Sequence, residues 1–111
     1  MQTFVSSSDA AFTELGGGTR RRVLAHNGEM MAVEVSFDAG AVGSDHSHPH
    51  TQISYVLSGE FSYHIGSEAH TMKPGDSIVV PGGSIHGCAC VTAGTLLDVF
   101  APMREDFLKN P

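Results

Sequence analysis

Three histidines and a glutamine carry the chemical interest of this 111-residue chain. His46 and His48 lie two apart, so on extended backbone both imidazoles leave the same face, close enough to share one cation. Gln52 has the same parity four residues further on and can join them if the strand stays regular. His86 has to arrive from a distant strand. A closed barrel would deliver it, and the Pro81-Gly82-Gly83 turn just before it would end one strand and redirect the next. One such histidine reads equally well as a surface residue or a core hydrogen-bonder; the combination points to a metal ion.

Other reactive side chains are less specific. Of seven histidines, five fall between His46 and His70. His50 shares the parity of His46 and His48 and could be an alternate ligand or a hydrogen-bond donor behind the ligands, but following Pro49 it reads more simply as a loop residue. His64 and His70 fall on a neighbouring hairpin and carry no assignment. Cys88 and Cys90, the only cysteines, share the parity of His86 but sit too far apart on a strand for an easy disulfide. They read as small buried hydrophobes in a reducing compartment. Arg20, Arg21 and Arg22 form the only basic run, which reads as a solvated strand edge.

The elements that must position these groups are short strands. Arg20 to His26 and Glu29 to Phe37 form a hairpin about Asn27-Gly28, a dipeptide that tolerates positive φ. Met31, Val33, Val35 and Phe37 alternate with less apolar residues, so one face is buried. Gln52 to Leu57, Glu60 to Ile65, Glu68 to Met72, Ser77 to Val80, His86 to Val91 and Thr95 to Ala101 follow, with turns at Ser58-Gly59, Gly66-Ser67, Lys73-Pro74-Gly75, Pro81-Gly82-Gly83 and Ala93-Gly94. This spacing predicts an all-β, antiparallel sandwich or barrel closed as a jelly roll. Residues 1–18 form an N-terminal arm, with a helical turn expected over Asp9 to Leu15, and 19–111 form the barrel, ending in a short helical turn over Met103 to Lys109. A chain of this size supports one domain. A formal charge of −6 disfavours nucleic acid and anionic membrane, no stretch approaches the roughly 18 apolar residues of a spanning helix, and the opening residues do not resemble a signal peptide, so a cytoplasmic protein is expected.

The spacing resembles the two motifs of the cupin superfamily. Gly40, five residues, His46-x-His48, three residues, Gln52, six residues and Gly59 make the first; Gly75, five residues, Pro81-x-Gly83, two residues and His86 make the second. Gln52 stands where cupins usually have Glu, and Cys90 where the second motif usually ends in Asn. The resemblance implies a jelly-roll barrel with His46, His48, Gln52 and His86 holding a first-row divalent metal such as Ni, Zn, Mn or Fe. Four neutral ligands leave the charge of the ion uncompensated, which strengthens it as a Lewis acid and attracts carboxylates.

Near the end, Asp98 and Phe100 share one strand face and Leu97, Val99 and Ala101 the other. Composition does not say which face is inward, and an aspartate here ordinarily sits solvated outside. Beyond Pro102 the chain must turn, which could bring Arg104 over the barrel mouth. This tail, with HSHPHTQ, YVLSGE, the Lys-Pro-Gly-Asp turn and the Arg-bearing segment before the first hairpin, is similar to small pectin-degradation cupins of the KdgF type, in which the glutamine is also usual. That resemblance implies a redox-neutral isomerase that linearises cyclic 4,5-unsaturated monouronates from pectin or alginate. Asp98 would be the acid/base, Arg104 the carboxylate clamp and Phe100 the packing surface. It also implies a small anionic sugar-acid partner and a homodimer. An Fe(II) dioxygenase and a non-catalytic sugar-acid-binding cupin are the alternatives.

Overall fold

A computed structural model describes residues 2–111. Eight strands follow a 3-10 turn at Ser7–Asp9: β1 (Thr13–Gly16), β2 (Thr19–His26), β3 (Met31–Phe37), β4 (Val42–His46), β5 (Thr51–Ile65), β6 (Glu68–Met72), β7 (Ser77–Val80) and β8 (His86–Ala101). A single short helix, α1 (Glu105–Lys109), comes last. All pairings are antiparallel, in the order β1-β2-β3-β8-β5-β6, with β4 on β8 and β7 on β5. This is the expected single-domain β fold with little helix.

Two long strands, β5 and β8, serve both halves of the barrel. The first half of β8 pairs with β4 and its second half with β3, while β5 pairs first with β7 and then with β6. The turns expected at Ser58-Gly59 and Ala93-Gly94 are therefore not turns: both strands run on through register shifts. A Cβ on Gly59, whose φ is +80°, would stand 2.6 Å from the Thr92 carbonyl oxygen, and one on Gly94 would overlap the Ser58 carbonyl oxygen. The two glycines let the paired strands bend together at the barrel corner. Gly94→Ala is expected to destabilise by about 2 kcal/mol or more through this backbone overlap, read as a lower urea midpoint; an unchanged midpoint would mean the strands separate there without cost.

The first hairpin also differs from expectation. β3 begins at Met31, and the link is a four-residue turn in which the Asn27 side chain accepts from the amides of Glu29 and Met30 at 2.9 and 3.0 Å. That side-chain acceptor replaces a two-residue turn with positive φ. The helical turn expected over Asp9 to Leu15 is absent; β1 extends the sheet there along β2.

Register places the interior. Met31–Phe100–Gln52, Val33–Asp98–Ser54 and Val35–Leu96–Val56 line up across β3, β8 and β5, and in each row the side chains are buried or half-buried. Phe37, Phe61, Val80 and Leu96 belong to one packed cluster, and Met31, Val33, Phe100 and Phe107 to a second.

Candidate metal centre and cavity

The three histidines converge from β4, β8 and the link before β5. His46 ends β4, His86 opens β8, and the two are register partners with ring centroids 4.3 Å apart. His48 lies beyond the end of β4, so strand parity does not place it. Its carbonyl accepts from the Gly83 amide at 2.8 Å, which ties it to the turn preceding His86. One nitrogen from each of His46, His48 and His86 lies within 4.8 Å of the other two.

Each ring is oriented by a backbone carbonyl at Nδ1: Ser44 for His46 at 2.8 Å, His50 for His48 at 3.1 Å and Ser84 for His86 at 3.0 Å. With Nδ1–H donated, each Nε2 presents a lone pair to the shared space. His86 Nε2 is buried and has no hydrogen-bond partner among the described residues. Burial is the main force holding His48 and His86 below the ordinary imidazole pKa, so protons do not readily fill the gap. Converging lone pairs with backbone-fixed tautomers fit a divalent cation.

Gln52 is adjacent. Its Oε1 lies 2.9 Å from His48 Nε2, and its Nε2 donates to Ser54 Oγ at 3.0 Å. His50 contributes its carbonyl, and its ring is not part of the cluster. His64 pairs with Asp45 and His70 with Glu68, and neither ring joins the cluster. Cys88 and Cys90 are buried free thiols, and burial pushes the Cys88 thiol up to about 12, leaving it neutral.

The centre opens on a cavity of about 340 Å³ lined by Asp98, Phe100, Arg104 and Arg21 among others. Asp98 faces inward, against the ordinary preference for solvent, because β3 and β5 flank β8 and place Val33 and Ser54 on either side of it. Ser54 Oγ donates to Asp98 Oδ1 at 2.6 Å. Desolvation raises this carboxyl to about 6, opposed by hydrogen bonds from Ser54 and Gln52 and by the charges of His46 and Arg104. Phe100 is 2% exposed and meets the His48 ring edge-on at 5.7 Å.

Arg104 reaches the cavity as expected, with its guanidinium over Phe107 at 4.1 Å and Phe100 at 5.0 Å. Its Nε and Nη2 are taken by both oxygens of Asp106, at 3.0 and 2.9 Å. Only Nη1 is outside that fork.

Sequence reasoning missed three groups. Arg21 leaves the supposed solvated edge: Arg20 and Arg22 face outward to Asp38 and Glu34, while Arg21 lines the cavity and stacks on Phe107 at 3.8 Å. Strand parity with Val23, opposite Val33, is the signal that would have found it. Ser54 and Tyr63 are the other two. They carry no motif, and only the register of β5 against β8 reveals them.

Comparison with known proteins gives a consistent picture. The pattern of the cupin domain family matches residues 33–100. The pectin degradation protein KdgF of Dickeya dadantii is 34% identical over 110 residues, covering 97% of this chain and all of that protein. An RmlC-like cupin structure from Shewanella frigidimarina superposes with a TM-score of 0.92 at 41% identity, covering 96% of each chain. The structure of KdgF from a Halomonas species gives 0.89 at 35% identity, covering 94% of this chain and 98% of that one.

Proposed function

The chain belongs to the cupin family, among relatives of the KdgF type, and from that premise we propose that it converts cyclic 4,5-unsaturated monouronates to linear 4-deoxy-5-keto uronates. The observation that carries this reading is Asp98: a buried carboxyl with its pKa raised to about 6, in the wall of a cavity that also holds the histidine cluster. Such a group is poised for proton transfer near neutral pH. The relative from Dickeya dadantii is a pectin degradation protein, which supports a context of pectin breakdown.

His46, His48, His86 and the Oε1 of Gln52 would hold a divalent ion; Ni, Zn, Mn and Fe(II) all accept nitrogen-rich sets of this kind. The ion would supply Lewis-acid stabilisation of negative charge developing on substrate oxygens, without a change of oxidation state. Arg104 offers Nη1 to the carboxylate, while Asp106 keeps the guanidinium from swinging. Phe100 gives the sugar a flat apolar wall. Asp98 accepts the proton of the anomeric hydroxyl, the bond from C1 to the ring oxygen breaks, and that electron pair leaves an enolate across C4 and C5. The proton returned at C4 completes the 5-keto acid, so the step is an isomerisation and Asp98 ends as it began.

Metal-loaded protein mixed with an unsaturated monouronate should hasten loss of the ultraviolet absorbance of the conjugated acid. Arg104→Met should raise KM about 10-fold or more, since a charge-assisted hydrogen bond contributes about 1.5–3 kcal/mol. Decay at the uncatalysed rate with both pectin- and alginate-derived substrates would remove the proposal, and oxygen uptake would favour a dioxygenase instead.

A further inference from the structure

We propose that Ser54 is a positioning residue that aims the Gln52 carbonyl oxygen at the metal centre, using the charge of Asp98 as its anchor. Ser54 is fully buried and makes three hydrogen bonds, to Asp98 Oδ1 at 2.6 Å, Gln52 Nε2 at 3.0 Å and the Tyr63 hydroxyl at 3.1 Å. A serine has one proton to give and two lone pairs to receive. An ionised Asp98 can only accept, so the one proton of Ser54 goes to it. The other two bonds must then be donated to Ser54, one from Gln52 and one from Tyr63.

The consequence falls on the glutamine. Its amide nitrogen donates to Ser54, and its second proton faces the Tyr63 hydroxyl at 3.4 Å. Both protons are absorbed on the side away from the histidines, which leaves Oε1 on the other side. There it meets His48 Nε2 at 2.9 Å, and since His48 Nδ1–H is given to the His50 carbonyl, the contact sets two acceptors face to face. Two lone pairs aimed at each other are unfavourable alone and favourable as two ligands of one cation. The opposite amide orientation would give Ser54 a second acceptor to satisfy with no proton left.

Ser54 thus acts through Gln52 and never touches the metal or substrate. The inference rests on the metal-binding part of the proposed function and not on the uronate chemistry, and metal alone tests it. Ser54→Ala should bind Co2+ about 10–100-fold more weakly than wild type, the usual effect of losing a group that orients a ligand, with a changed visible absorption spectrum. Ser54→Thr, which keeps the hydroxyl, should recover the wild-type spectrum. Ser54→Ala with wild-type affinity and spectrum overturns the proposal. Folding of the variants is not the only route, because wild-type protein answers too. Its Gln52 side-chain amide protons should show nuclear Overhauser contacts to the Tyr63 ring; contacts to the His48 ring instead would mean the reverse orientation and overturn it. Wild type that binds no Co2+ would count against the metal site itself, while the amide contacts still decide the role of Ser54.

Discussion

Asp98→Asn should lower kcat on the unsaturated uronate by about 100- to 10,000-fold, the range typical of a lost general acid/base, and should at the same time make the metal-free protein more stable at pH 8. Both effects come from one burial. The carboxyl has a folded pKa of about 6 against about 3.9 for a solvated aspartate. A raised acid pKa means the folded state binds the proton more tightly than the unfolded chain. Above pH 6 the native protein therefore carries the cost of a buried charge, up to ~3 kcal/mol. That cost fades as pH falls from about 6 towards 4.

The stability gain of Asp98→Asn over wild type should accordingly be present at pH 8 and absent near pH 4, as urea titrations at the two pH values would reveal. Activity has the opposite dependence: proton removal needs the carboxylate, so kcat/KM should fall as pH drops through about 6. A bound dication favours the charged form and would move that limb lower. An Asp98→Asn variant with wild-type kcat at saturating metal would take Asp98 out of the chemistry.

The second large effect is thermal. Adding a divalent metal at about a thousand times its dissociation constant should stabilise the protein by ~4 kcal/mol, which for a chain of this size raises Tm by about 10 °C or more. Chelation should reverse it. His86→Ala removes one of three converging nitrogens, and the one whose Nε2 is otherwise stranded without a partner, so its Tm should stop responding to metal. A wild-type Tm indifferent to every first-row divalent ion would leave the converging imidazoles without the role assigned to them.

Much of the candidate metal centre was legible along the chain because its residue types and intervals are local signals. His46, His48, Gln52 and His86 stand at spacings that few other demands would produce, and the bend at Pro81-Gly82-Gly83 is written in one residue with a locked φ and two with unusually free backbones. Turn chemistry misled in two places for the same reason it helped elsewhere. Gly59 and Gly94 read as breaks between strands, yet what requires them is the close approach of β5 to β8, a contact between residues 35 positions apart. A glycine serving a turn and one serving a crossing look identical until the partner strand is known.

The cavity wall was harder. Period-two alternation says that Leu96, Asp98 and Phe100 share a face and that Arg21 and Val23 share another, but it does not say which face closes on the interior. For Asp98 the choice follows from Val33 and Ser54 on the flanking strands, and for Arg21 from Val35 opposite it. Arg104 arrived where expected with most of its fork already engaged by Asp106, a local pairing that composition alone did not single out. Residue types and intervals along the chain were thus enough for the family, the strands and the histidines that can hold an ion. The inward turn of Asp98, the second arginine and the Ser54 link waited on sheet closure, because each depends on which strands become neighbours, and long-range pairing leaves no period in the chain.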